Sequence, residues 1–178
     1  MSMLVSLENG INRCSEWLGK LAAFLFIVML FNVFYDVIAR YLLNDVSIGL
    51  QELEWHLHAT IFLIGVPFAL RSGGHVRVDV IYERLTSKSK AIIDLLGTML
   101  LLFPFCGLVV WYGWDFAREA YELGEISGDP GGLSYRWIIK GMIPVSFTLM
   151  LMSGLGLLLT SINSLLGVHE QPEYHSEL

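Results

Sequence analysis

The sequence predicts an all-α polytopic membrane protein with four transmembrane helices, a short amphipathic N-terminal helix and an outer helical extension of the third span. Three observations predict it. The 178 residues are 54% hydrophobic and 16% charged, with a mean hydropathy of +0.59, whereas about a quarter of a soluble domain is charged. Four apolar runs approach the roughly 20 residues needed to cross a hydrocarbon core of about 30 Å, and the remainder is too small to bury a core of its own. Basic residues are also placed unevenly. The connector RSGGHVRVDVIYERLTSKSK, residues 71–90, carries Arg71, Arg77, Arg84, Lys88 and Lys90, and short loops rich in Lys and Arg stay on the cytoplasmic side during insertion. Counting crossings from it gives one membrane domain, 1–178, with spans at about 21–41, 55–71, 91–112 and 138–160 and both termini inside. Seven basic residues then lie inside (Arg13, Lys20 and the five above) and four outside (Arg40, Arg118, Arg136, Lys140).

Each element follows from local pattern. In the lead, Leu4, Leu7, Ile11 and Trp17 alternate with Glu8, Arg13 and Glu16, which suits either a short helix lying at the inner interface or a frayed terminus. No small-residue cleavage site follows the apolar run 21–38, so the first span is an uncleaved anchor. Near its outer end Asn32, Asp36 and Arg40 recur every four residues and form one polar stripe. Charges at that depth pair and turn toward protein. Asp36 and Arg40 either neutralise each other inside the bundle or meet a partner subunit.

Asn44 to Ser47 reads as a turn and 48–70 as one long helix whose membrane part begins near Trp55. Glu52 and His56, and Glu54 and His58, are i, i+4 pairs of residue types that also bind zinc. The two pairs point about 160 degrees apart at 100 degrees per residue, so they are read as interfacial hydrogen-bonded pairs rather than a metal site. Pro67 removes one helix hydrogen bond and is expected to kink the inner half.

The third span, 91–112, contains Gly97, Pro104 and Gly107 and ends in an aromatic belt of Trp111, Tyr112 and Trp114. Phe116, Ala120 and Leu123 keep helical spacing among charged neighbours, which carries the helix beyond the membrane to a stop at Gly124. In EISGDPGGLSYRW, Pro130 and Gly131 suit the middle of a type II turn. That stretch lacks the preceding strand and the Lys of a phosphate loop. Arg136, Trp137 and Lys140 open the fourth span, along which Ser153, Gly156, Thr160, Ser164 and Gly167 give a narrow face of small residues, expected to be buried against another helix.

Several function classes fall away. The net charge is −6 and the basic connector sits beside lipid, so nucleic acid is not a partner. Cys14 and Cys106 lie on opposite sides of the midplane, which excludes a disulfide between them. There is no nucleophile motif and no enzyme is read here. No cofactor is expected either: a haem-bearing or structural anchor of a respiratory complex is the alternative, but a haem needs axial histidines at matching depth on facing helices, and only the second span contains any, His56 and His58 near its outer end. A transporter working alone shows repeats and broken helices around a midplane site. With polar groups confined to the ends, the chain reads as a partner subunit.

The segments QELEWHLHATIFLIGVPFALRSGGHVRVDVIYERL and GDPGGLSYRWIIKGMIPVSFTLMLMSGL, with the first-span ending DVIARYLLN, closely resemble the small integral-membrane subunit of tripartite ATP-independent periplasmic (TRAP) transporters, over most of the chain. The resemblance implies a bacterial inner-membrane complex, in which a periplasmic substrate-binding protein delivers an organic acid to a large membrane subunit driven by an ion gradient, usually sodium. It makes the small subunit a scaffold packed beside the large one. The acidic pair before the second span, adjacent in the family, is split here by Leu53. Candidate partner-interface residues are Asn32, Asp36, Arg40, Glu52, Glu54, Ser153, Gly156 and Thr160. Candidate docking residues for the binding protein are Asp115, Glu119, Glu122, Glu125, Asp129 and Arg136, the alternative being a solvated cap. On the connector, His75, Arg77 and Asp79 either serve topology as a solvated loop or hold the turn into the next helix.

Overall fold

A computed structural model describes residues 2–72 and 85–166. Among them are four long helices: α1 (Ser2–Leu42), α2 (Ile48–Arg71), α3 (Ser87–Glu122) and α4 (Trp137–Leu165). All four are long and apolar enough to cross a membrane. The helix α4 is the hub of the bundle, packing against α1, α2 and α3, while α1 also packs along α2. Large apolar side chains such as Phe31 and Leu100, each 67% exposed, stand on the outward surface, where lipid chains take the place of a second packed layer.

The turns expected from sequence form by recognisable chemistry. Asn44 takes a left-handed conformation, φ 52°, letting the Asp45 amide turn back onto the Ala39 carbonyl at 3.0 Å. Ser47 then caps α2, its Oγ accepting from the Leu50 amide at 3.4 Å. Gly124, φ 58°, ends α3: its amide donates to Tyr121 O at 3.1 Å and the Glu125 amide to Ala120 O at 2.9 Å, the paired bonds of a glycine-terminated helix. Gly131 at φ 83° and the Gly132 amide donating to Asp129 O at 3.0 Å complete the type II turn over Pro130.

The lead is helical as one alternative had it, but it is continuous with the first span rather than a separate helix along the interface. Its 41 residues reach about 60 Å at 1.5 Å per residue, twice the hydrocarbon thickness. Neither Gly10 nor Gly19 breaks it. Gly19 instead permits close approach, since a Cβ there would stand 2.8 Å from the Phe68 ring of α2.

Within α3 one turn widens at Thr98–Leu102, where the Phe103 amide donates to Thr98 O, five residues back. Pro104 is the cause. It has no N–H and its ring crowds the carbonyl four residues before it, so the preceding turn opens to relieve both. The helix α2 runs through Pro67 to Arg71, and that proline is fully buried against its neighbours.

Candidate functional site

Polar chemistry gathers at the two ends of the bundle. Residues 21–35, 59–70, 95–111 and 141–159 contain no Asp, Glu, Lys, Arg or His. The two rims are therefore the places to look, one holding the loops 43–47 and 123–136, the other Arg71.

At the loop rim, Glu52 of α2 is 7% exposed and turns its carboxylate into the loop that follows α3. Its Oε1 accepts from Ser127 Oγ at 2.5 Å and its Oε2 from the Leu133 amide at 2.5 Å. The loop closes on itself as well, through Ser127 N to Leu133 O at 3.1 Å, Arg136 N to Glu125 O at 3.2 Å and Asp129 N to Ser127 Oγ at 3.1 Å. Gly132 is needed for this fit, because a Cβ on it would lie 2.8 Å from Glu52 Oε2. The Arg136 guanidinium sits over Trp55, 5.6 Å from the ring centroid. Lys140 pairs with Glu125 and lies 4.1 Å from the Phe116 centroid.

This changes the pairing read from sequence. The Glu52 side chain goes to the loop, and His56 Nδ1 bonds the Glu52 backbone carbonyl instead, at 2.6 Å. A hydroxyl and an amide converging on one carboxylate outcompete a single imidazole. Glu54 and His58 form no ion pair with each other and lie half-buried and exposed respectively.

The stripe on α1 splits its roles. Asn32 Nδ2 donates to Leu50 O of α2 at 3.0 Å. Asp36, 4% exposed, pairs with Arg40 at 2.5 Å, while the Arg40 side chain keeps 39% of its surface open. Among the described residues, Asp36 Oδ1 and Arg40 Nε are buried without a hydrogen-bond partner.

At the opposite rim the first half of α1 covers the small-residue face of α4, on which Ser153 and Gly156 are buried and Thr160 and Ser164 half-buried, while Gly167 lies outside the described residues. Ser153 Oγ lies 3.2 Å from Ser15 Oγ. Gly156 leaves room for Ile11, whose Cγ2 would be 2.9 Å from an added Cβ. Thr160 and Asn163 donate to the Glu8 carboxylate at 2.6 and 3.0 Å, and Arg71 bonds both Asn12 and Thr160. Glu8, Asn12, Ser15, Arg71 and Thr160 line a cleft of about 400 Å³. Sequence reading missed Glu8, Asn12, Ser15 and Asn163, although Glu8, Asn12 and Ser15 recur at helical spacing on one face. His75, Arg77 and Asp79 lie outside the described residues.

The docking candidates all lie on the loop rim. Asp115, Glu119, Glu122 and Asp129 are exposed, and Arg136 and Glu125 are half-buried. Glu122 pairs with Arg118 at 3.2 Å and Glu125 with Lys140.

Four apolar crossings with charge at both rims and none between them define a multi-pass integral membrane protein of the helical-bundle class. The chain belongs to the DctQ component family of tripartite ATP-independent periplasmic transporters, which it matches over residues 29–163, and it is a small permease subunit. It is 27% identical over 145 residues to the ectoine TRAP transporter small permease protein TeaB of Halomonas elongata, covering 78% of this chain and 69% of that one. It is 25% identical over 141 residues to the sialic acid TRAP transporter permease protein SiaT of Haemophilus influenzae, covering 79% of this chain and 22% of that one. With the C4-dicarboxylate TRAP transporter small permease protein DctQ of Pseudomonas aeruginosa it shares 23% identity over 107 residues, 56% of this chain and 50% of that one.

Proposed function

We propose that this subunit is the non-catalytic scaffold of a TRAP transporter in the bacterial inner membrane, which imports an organic acid delivered by a periplasmic substrate-binding protein and is driven by a sodium gradient. The charge-free middle of the bundle carries the reading. Moving an anion with sodium calls for polar groups near the midplane, and the middle runs of the four spans hold no charged residue, so those sites belong to a large membrane subunit. Two of the three relatives are named for acids, sialic acid and a C4-dicarboxylate, which favours that substrate class.

In this reading both termini are cytoplasmic and the loop rim faces the periplasm, where its acidic residues meet the binding protein. Among the partner-interface candidates, Arg40 and Glu54 keep side-chain surface to offer the large subunit. The buried unpaired atoms of Asp36 and Arg40 mark a place where that subunit or water supplies the missing bonds.

Reconstitution tests the proposal. Liposomes holding this chain alone should take up no labelled acid from a panel that includes a C4-dicarboxylate. Uptake should appear when the large subunit and binding protein are added under an inward sodium gradient. Uptake by the small subunit alone would refute it.

A further inference from the structure

We infer that Glu52 is a positioning residue for docking: by holding the 125–136 loop in one shape it sets the affinity of the transporter for its periplasmic binding protein, an inference that rests on the docking reading above. The loop carries the docking candidates Glu125, Asp129 and Arg136, yet it is a connection with no regular secondary structure between Leu123 and Arg136. Such a segment pays an ordering cost on binding unless it is already fixed. Here it is fixed from outside itself, by a carboxylate delivered from the opening turns of α2.

The geometry concentrates the constraint on one group. Glu52 accepts from Ser127 near the start of the turn and from Leu133 after it, both at 2.5 Å. It therefore clamps the two feet of the type II turn that displays Asp129. Ser127 in turn accepts from the Asp129 amide at 3.1 Å, so the clamp reaches the exposed acid through one side chain. Bonds across the feet, such as Ser127 N to Leu133 O, need the same closed arrangement. A rigid α2 base makes the loop shape a property of the scaffold rather than of the loop.

Two substitutions loosen the clamp differently. Glu52→Gln keeps the side-chain length but removes the charge and replaces one acceptor with an NH2 group, so the bonds to Ser127 and Leu133 become neutral and weaker and the Ser127 hydroxyl must turn to accept rather than donate. Gly132→Ala changes no charge, yet its Cβ would overlap the Ser127 side chain and stand 2.8 Å from Glu52 Oε2, so the Ser127–Glu52 contact must give. If either leaves the loop in its docking shape a tenth of the time, the apparent dissociation constant rises roughly tenfold.

The test uses the complete membrane complex in nanodiscs, titrated at low salt with its own purified binding protein, alongside amide exchange across 125–134. The inference expects both variants to speed exchange at Ser127 and Leu133 and to weaken binding-protein association, with the large subunit still co-purifying in full yield. If the loop loosens and association is unchanged, while neutralising Asp115, Glu119 and Asp129 does weaken it, docking stands and the positioning role of Glu52 is overturned. If none of these variants alters association, the docking reading fails and takes this inference with it. Loss of the large subunit in Glu52→Gln, with normal association in Gly132→Ala, also overturns it and leaves Glu52 a purely structural residue.

Discussion

Gly154 of α4 and Leu102 of α3 meet so closely that a Cβ on the glycine would stand 2.8 Å from Leu102 Cδ2, with Phe103 Cε1 at 2.9 Å on the other side. The contact falls where α3 widens into its five-residue turn ahead of Pro104. Leu102 closes that turn and Phe103 follows it, and a residue without a side chain at 154 leaves both of them room against α4. Proline chemistry on one helix and a glycine on the next are thus two halves of one packing solution.

Replacing Gly154 by Leu should therefore separate α3 from α4. Overpacking of a fitted site costs about 1–3 kcal/mol, which should appear as a lower melting temperature in mild detergent. Gly65→Ala is the control, because nothing lies within 4 Å of a Cβ there and alanine favours a helix over glycine by about 1 kcal/mol. Equal melting temperatures for Gly154→Leu and the parent chain would show that the α3–α4 contact is looser than described.

Where the sequence was legible, the signal was local. Asn44, Gly124 and the Pro130–Gly131 pair announce their turns because each backbone conformation depends on one or two residues. The apolar runs announce the spans because lipid requires them. The connection between Glu52 and the loop was not legible: its partners Ser127 and Leu133 lie 75 and 81 residues away, and the local i, i+4 match to His56 offered a nearer and misleading partner. The same holds for the lead. Periodicity left it either a short interfacial helix or a frayed terminus, and its packing on α4 depends on Glu8 reaching Thr160 and Asn163, 152 and 155 residues on.

That packing gives a second prediction. Glu8→Ala removes the acceptor for both Thr160 and Asn163 and should free the first half of α1 from α4 without melting the span. Amide exchange over residues 6–16 should rise by on the order of tenfold, the equivalent of about 1.4 kcal/mol, while exchange in α3 stays as it was. Unchanged protection over 6–16 would mean that Arg71, Asn12 and the serine pair hold the lead by themselves.

Sidedness is tested by single cysteines in a chain with Cys14 and Cys106 replaced. Ser87 and Gly128 are both exposed, and a Cβ at Gly128 meets nothing within 4 Å, so neither change should disturb the fold. A membrane-impermeant thiol reagent added to intact spheroplasts should label Gly128→Cys and spare Ser87→Cys until the membrane is opened. The reverse pattern would invert the topology and move the acidic rim to the cytoplasm.

The last prediction concerns which acids on the loop rim do the steering. Glu125 is committed to Lys140 and Glu122 to Arg118, so their charges are largely offset where they stand. Asp115, Glu119 and Asp129 are exposed and make no ion pair among the described residues. Exposed single charges act on encounter more than on the bound state. Changing these three to Asn, Gln and Asn should therefore slow binding-protein association by about tenfold at low salt, within the range that electrostatic steering supplies. The difference should fade near 0.15 M salt, where the screening length is about 8 Å, and dissociation should change little. Glu125→Gln should behave differently, releasing Lys140 and loosening the base of the loop, with an effect that salt does not erase. Stopped-flow association across a salt series separates the two. Equal rates for the triple variant and the parent at the lowest salt would remove the loop rim as the surface that receives the binding protein.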